Sequence, residues 1–152
     1  MTAKERTLKL PDGSTVSALW QKPKDAKVVL VLAHGAGAGM THKHMTATAD
    51  GLEARGIATL RYNFLYMEKG SKRPDNPPIA HAAIRAAVAD AVKLAGDLPL
   101  FAGGRSFGAR MTSQAQSLDP LPNVKGLVFF AFPLHAPGKS GVERADHLKQ
   151  VK

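Results

Sequence analysis

Leu98-Pro99-Leu100-Phe101-Ala102-Gly103-Gly104-Arg105-Ser106-Phe107-Gly108-Ala109 is the stretch that decides the fold. Leu98 to Ala102 reads as a short buried strand, and Ala109 to Leu118 as a helix ended by Pro120 and Pro122. Between them, residues 104–108 fit the pattern G-x-S-x-G. A serine squeezed between strand and helix must sit on a tight turn. Small residues two before and two after it let neighbouring backbone pass, and the hydroxyl then stands clear above the sheet edge. The N–H of Phe107 falls at a helix N-terminus, where backbone favours developing negative charge. Ser106 is therefore the candidate catalytic nucleophile and Phe107 a candidate oxyanion donor. The plainer alternative is a glycine-rich turn whose serine only caps the next helix.

Upstream, Lys27 to Ala33 is a continuous apolar, β-branched run, as a strand buried on both faces requires. The loop after it is His34-Gly35-Ala36-Gly37-Ala38-Gly39. An H-G-x-G loop in this place supplies a second oxyanion N–H, from Ala36 or Gly37. A dinucleotide fingerprint fits poorly: the spacing is G-x-G-x-G, and the next strand ends Arg61-Tyr62-Asn63 with no acid for a ribose. A phosphate-binding loop fails because no G-K-[ST] occurs.

Thr41 is the expected cap of a helix reaching about Ala54, stopped at Gly56. Ile57 to Tyr62 is a strand, and Asn63 to Pro78 a long polar loop. Ile79 to Ala95 is a helix with Ile84, Val88 and Val92 on one stripe. Val124 to Phe132 reads as one more buried strand, and the tail as loop followed by a short helix from Val142 to Val151. At the other end, Arg6 to Leu10 and Thr15 to Gln21 flank Pro11-Asp12-Gly13-Ser14, a hairpin signal. The order β-β-β-α-β-α-β-α-β predicts an α/β fold: a mostly parallel sheet, antiparallel at its start, with helices on both faces.

The chain of 152 residues suits one domain spanning residues 1–152. No apolar run approaches the roughly 20 residues of a membrane span, so no membrane association is expected. The opening Met1-Thr2-Ala3-Lys4-Glu5-Arg6 is charged and no apolar segment follows, which argues against a secretory signal. With no cysteine, disulfide scaffolds, thiolate metal sites and thiol catalysis are excluded, and a cytoplasmic setting is the default. Net charge is +9, but the basic residues are scattered without stacking aromatics, so no specific nucleic-acid binding is expected. His42 and His44, two apart, would face opposite sides of a helix, which makes a poor metal site. No metal or organic cofactor is expected.

With these motifs placed, the sequence resembles the α/β-hydrolase superfamily. More narrowly, it looks like the dienelactone-hydrolase-like branch grouped with the KANL3/Tex30 proteins. The residues that carry this are His34 to Met40, Arg61 to Glu68, Lys72-Arg73-Pro74, Gly103 to Arg110 and Phe132 to Lys139. The resemblance implies the α/β-hydrolase fold: three layers, αβα, with a central sheet of about eight strands. It also implies a nucleophile at Ser106, oxyanion donors at Ala36 and Phe107, and a small-molecule ester-like substrate. His34, Gly35, Gly37, Arg105 and His135 stand as neighbours of that site. Leu65, Tyr66 and Met67 could line an apolar pocket beside it, with Arg73 or Arg105 steering an anion.

The chain departs from this pattern in one respect. A serine hydrolase of this fold orders its triad Ser, Asp/Glu, His, the last two after the seventh and eighth strands. The reading here finds six of about eight strands, so the acid and histidine of the triad are missing and the domain is expected to be C-terminally incomplete. Within the chain, Glu143 or Asp146 with His147 keeps that order, and Asp119 sits at the far end of the helix after Ser106; His135 sits closer to the turn but has no acid behind it. Two readings stay open: a serine hydrolase short of its base, and a non-catalytic ligand- or protein-binding module of the same fold. In either, an apolar strand such as Gly126 to Phe132 at a sheet edge invites pairing with a second copy, as a homodimer.

Overall fold

The computed structural model describes residues 3–151. Met1, Thr2 and Lys152, counted above in the charged opening and the tail, lie outside the described residues. Six strands, β1 (Lys4–Lys9), β2 (Thr15–Gln21), β3 (Val28–Ala33), β4 (Ile57–Tyr62), β5 (Leu100–Arg105) and β6 (Val124–Ala131), form one sheet in the order β1-β2-β4-β3-β5-β6. β1 and β2 are antiparallel, β2 meets β4 antiparallel, and the remaining pairs are parallel. Helices α1 (Lys43–Glu53), α2 (Leu65–Glu68), α3 (Pro77–Ala95) and α4 (Phe107–Leu118) follow, and a 3₁₀ helix (Glu143–Gln150) ends the tail. This is the expected αβα arrangement with an antiparallel opening.

β3 shows why a continuous apolar run was needed. Val29, Val31 and Ala33 join the large core under α3, while Leu30 and Leu32 pack with Met45 of α1 on the other face. Successive side chains of a strand point to opposite faces, so a strand covered twice must be apolar throughout. α3 buries Ala80, Ala83, Ile84, Ala87, Val88 and Ala91 in this core, and its small alanines let it lie close to the sheet.

Several boundaries differ from the sequence reading. β5 begins at Leu100 and runs through Gly103 and Gly104, because both stay in the ladder opposite Val128 and Phe129. A methyl group on Gly103 would fall 1.8 Å from the Val128 carbonyl oxygen, so only glycine fits there. α1 is capped by His42 rather than Thr41: the His42 ring nitrogen accepts from the His44 N–H. The loop after β4 is not uniformly polar. It folds into α2, with Leu65 and Tyr66 buried, and the Tyr66 N–H donates to the Asp75 carboxylate.

β6 is the larger correction. It was expected to be buried, yet Val128, Phe129 and Phe130 are 36%, 37% and 40% exposed. Its apolar sequence is that of an interior strand, but it lies at the sheet edge and pairs only with β5 among the described residues. Apolar composition reports suitability for burial, not the presence of a covering neighbour.

Beneath the turn at Ser106 the core is aromatic. Phe64 meets His34, Tyr62 and Phe107 edge-on, with ring centroids 5.0, 5.4 and 5.2 Å apart. His34 is fully buried, and loss of water pushes its pKa below the usual histidine range, opposed by its bond to the Gly35 carbonyl. Burial lowers His81 and His147 in the same sense. A histidine the fold keeps neutral takes up its proton more readily in the unfolded chain. Its stabilising contribution is complete above the usual histidine range and declines as pH drops through that range. Urea unfolding between about pH 7.5 and about pH 5.5 should therefore show falling stability, chiefly from the fully buried His34 and by at most about 1.4 kcal/mol per pH unit. A flat or rising profile would contradict this assignment.

Candidate active site

Ser106 occupies the single residue between β5 and α4, with φ 57° and ψ −114°. Among the described residues only Asn123 shares a positive φ without being glycine. Such a conformation costs on the order of 1–3 kcal/mol and persists only where the surroundings dictate it. They do so here. The Ser106 N–H donates to the Ala131 carbonyl at 2.8 Å, and the Ser106 carbonyl accepts from the Arg110 N–H at 3.0 Å. A methyl on Gly104 would meet the Ala33 carbonyl oxygen at 2.3 Å, and one on Gly108 the His34 carbonyl oxygen at 2.6 Å. The two glycines of G-x-S-x-G thus allow the close backbone approach expected of them. The Ser106 hydroxyl makes no capping bond to α4, which removes the plainer alternative for this serine. Phe107, the first residue of α4, has an N–H with no intrahelical acceptor, while its buried ring packs on Phe64 and Tyr66.

The loop after β3 lies against this turn. A methyl on Gly35 would stand 3.5 Å from the Ser106 Cβ and 3.4 Å from the Arg105 carbonyl. The loop reverses between Gly35 and Ala38, which form an isolated bridge, and Gly37 supplies the positive φ of 79° that the reversal needs. His34 offers Ser106 no free nitrogen. Its Nε2 accepts from the Phe64 N–H at 3.0 Å, and this assigns the proton to Nδ1, which donates to the Gly35 carbonyl at 2.8 Å.

A cavity of about 460 Å³ opens here, and Gly35, Ala36, Arg105 and Ser106 line it together. Gly37 and His135 are not in its wall. Ala131, Phe132 and Pro133 close one side, and His44 faces it from the first turn of α1. Sequence reasoning weighed His44 only as a metal ligand and missed this position. Its one available signal was its place a few residues beyond the glycine loop. His42 and His44 are not on opposite sides of a helix either: their rings stack at 4.9 Å, because His42 is the cap and lies outside α1. Arg105 is exposed and forms no ion pair among the described residues. Leu65 and Tyr66 belong to the core rather than to the cavity wall.

The candidate bases lie elsewhere. His135 is exposed, with Nδ1 bonded to the Ala136 carbonyl at 3.1 Å. His147 faces Ser113 on α4, its Nε2 at 2.6 Å from the hydroxyl, and its ring lies near Phe132. Asp119 pairs loosely with Arg85 at 3.9 Å at the far end of α4. No histidine among the described residues hydrogen-bonds to Ser106, no group of three or more His, Asp or Glu is placed to hold a metal, and no helix is long and apolar enough to cross a membrane.

This architecture recurs in solved structures. An α/β serine hydrolase homologue from Coxiella burnetii superposes with a TM-score of 0.69 at 22% identity, covering 85% of this chain and 62% of that one. A dienelactone hydrolase from Anabaena variabilis gives 0.69 at 18% identity, covering 85% and 63%. An α/β serine hydrolase without a lid from Xanthomonas campestris gives 0.68 at 22% identity, covering 85% and 61%. The chain thus spans less than two thirds of the length of these neighbours. A family model described as "Alpha/beta hydrolase domain" matches residues 26–152, a span that holds the glycine loop, the Ser106 turn and four of the six strands, and the chain belongs to that family.

Proposed function

We propose that this chain carries the nucleophile half of a serine hydrolase acting on a small ester or related carbonyl compound. The observation that carries the reading is the strained, uncapped Ser106 in the wall of the same cavity as Ala36. In the proposed reaction the Ser106 Oγ attacks the carbonyl carbon while its proton passes to a base. The carbonyl oxygen becomes an oxyanion held by the N–H groups of Ala36 and Phe107. The tetrahedral adduct collapses, the leaving alcohol takes the proton, and an acyl-Ser106 ester remains. Water then repeats the sequence and frees the acid. One such amide donor is worth about 10²–10³ in rate. Ala36 is preferred to Gly37 as the loop's donor because only Ala36 borders the cavity.

No imidazole among the described residues hydrogen-bonds to Ser106, so this reading takes the base and its acid from outside residues 3–151. The same observation favours the second reading, a ligand- or protein-binding module that keeps the turn without turnover. The Arg61 to Glu68 and Phe132 to Lys139 motifs support placement beside the dienelactone-hydrolase-like and KANL3/Tex30-like proteins. The fold shared with the Anabaena enzyme is consistent with the first of these.

A fluorophosphonate probe separates the two readings. Under the hydrolase reading the chain is labelled at one residue, and Ser106→Ala abolishes labelling. Absence of labelling in the parent favours the module or a site short of its base. Ser106→Gly also abolishes labelling, but relieves the backbone and should raise the unfolding free energy by about 1 kcal/mol in urea titrations. A fall in stability would contradict the strain assigned to Ser106.

For the isolated chain we also propose self-association of two copies through the β6 edge, where unpaired backbone and the exposed Val128, Phe129 and Phe130 coincide. Phe130→Lys should shift the chain toward monomer in sedimentation experiments over a concentration series. A parent that is monomeric throughout that series would refute the proposal.

A further inference from the structure

We infer that Asn63 is a positioning residue for the loop that presents the Ala36 amide, an inference that rests on the hydrolase reading above. Asn63 and Phe64 are the first two residues after β4, and between them they hold both ends of the loop after β3. At the start of the loop, the Phe64 N–H donates to His34 Nε2 at 3.0 Å. At its end, the Met40 N–H donates to Asn63 Oδ1 at 2.9 Å. The stretch between, Gly35 to Gly39, bridges to itself only at Gly35 and Ala38. The three glycines and two alanines from 35 to 39 have almost no side chain with which to hold the loop in place.

The Asn63 side chain is itself held. Its Nδ2 donates to Glu68 Oε2 at 2.9 Å, and Glu68 also accepts from the Ser17 hydroxyl. The Asn63 N–H donates to the Ser17 carbonyl at 3.0 Å, tying the backbone to β2. With Nδ2 committed to Glu68, Oδ1 is turned toward Met40. Contact is close on the loop side as well: a methyl on Gly39 would lie 3.0 Å from Asn63 Oδ1 and 2.8 Å from Met67 Cγ. The Met40 carbonyl is fixed from the opposite side by Arg61, whose buried guanidinium donates to it at 2.8 Å and to Gln21 Oε1 at 2.8 Å. Both backbone polar groups of Met40 are therefore taken by side chains from the end of β4.

The consequence is chemical. An oxyanion donor works only if it is already in place when charge develops, and a misplacement of about 1 Å can remove about 10²-fold in rate. The Arg61 to Glu68 motif, which contributes no group to the cavity wall, gains a role: it sets where the Ala36 N–H stands relative to Ser106.

Asn63→Ala tests this with two readouts, against Ile84→Val as a core variant remote from the loop. In amide hydrogen exchange, Asn63→Ala should raise exchange at Met40 and across residues 35–39 while β3 and β5 stay protected. Unchanged exchange there overturns the inference, whether or not the parent reacts with any probe. In fluorophosphonate labelling, the maximal rate constant should fall about 10- to 100-fold with the half-saturating probe concentration unchanged. Ile84→Val should keep the parent rate. An Asn63→Ala rate equal to the parent's, or a loss matched by weaker probe binding alone, also overturns it. A parent that is never labelled is either the module or a site short of its base, and the exchange result alone then decides the placement of the loop.

Discussion

The end of β3 and the turn after β5 approach each other more closely than any side chain permits. Ala33 and His34 present their carbonyls to the α-carbons of Gly104 and Gly108 at distances a methyl group could not occupy. This backbone contact brings the glycine loop beside Ser106, and the parallel β3–β5 ladder that runs from Val29 and Leu100 to Ala33 and Gly104 leads directly into it. Gly103 repeats the constraint on the other side, against Val128 of β6. Three strands are thus locked at one level of the sheet. The serine is bent out of them because the chain has no other way to pass from β5 into α4.

Interior charge and polarity follow from the same crowding. His34 stands where the aromatic cluster excludes water, and it survives there by bonding at both nitrogens. Arg61 is buried too, and burial lowers its pKa against the attraction of Asp50. A buried guanidinium without a carboxylate at hand is costly. Here Gln21 relays it to Asp50 and Glu53, to which Gln21 donates at 2.7 Å each. The polar residues at the ends of β2 and β4 form a scaffold that reaches the loop through Met40, and the catalytic reading draws on that scaffold without using its charges directly.

Much of this was legible in the sequence, and for identifiable reasons. β2 and β4 begin and end where alternation and β-branching place them, and the glycine spacing around Ser106 foretold a turn that only small neighbours allow. The misses share a cause: each depended on a partner distant in the chain. β6 reads as interior because its residues suit burial, yet no strand covers its far side among the described residues. Leu65 and Tyr66 sit in a stretch of polar and proline residues, and only the core beneath them turns it into α2. His34, expected only as a neighbour of the site, accepts at its Nε2 from Phe64, thirty residues on.

The turn at Ser106 and the machinery that the proposed reading needs to draw a proton from it are energetically separate. The bonds and close contacts that hold Ser106 in its strained conformation come from Ala33, His34, Arg110 and Ala131. None involves a histidine side chain acting on the hydroxyl. The strain therefore does not depend on a base being present, and the turn holds Ser106 in the cavity wall without one. A base acts by hydrogen-bonding to that hydroxyl, and the cost of holding the oxygen in position has already been met by backbone contacts. Under the proposed hydrolase reading, reactivity at Ser106 is then limited by proton transfer rather than by the shape of the turn.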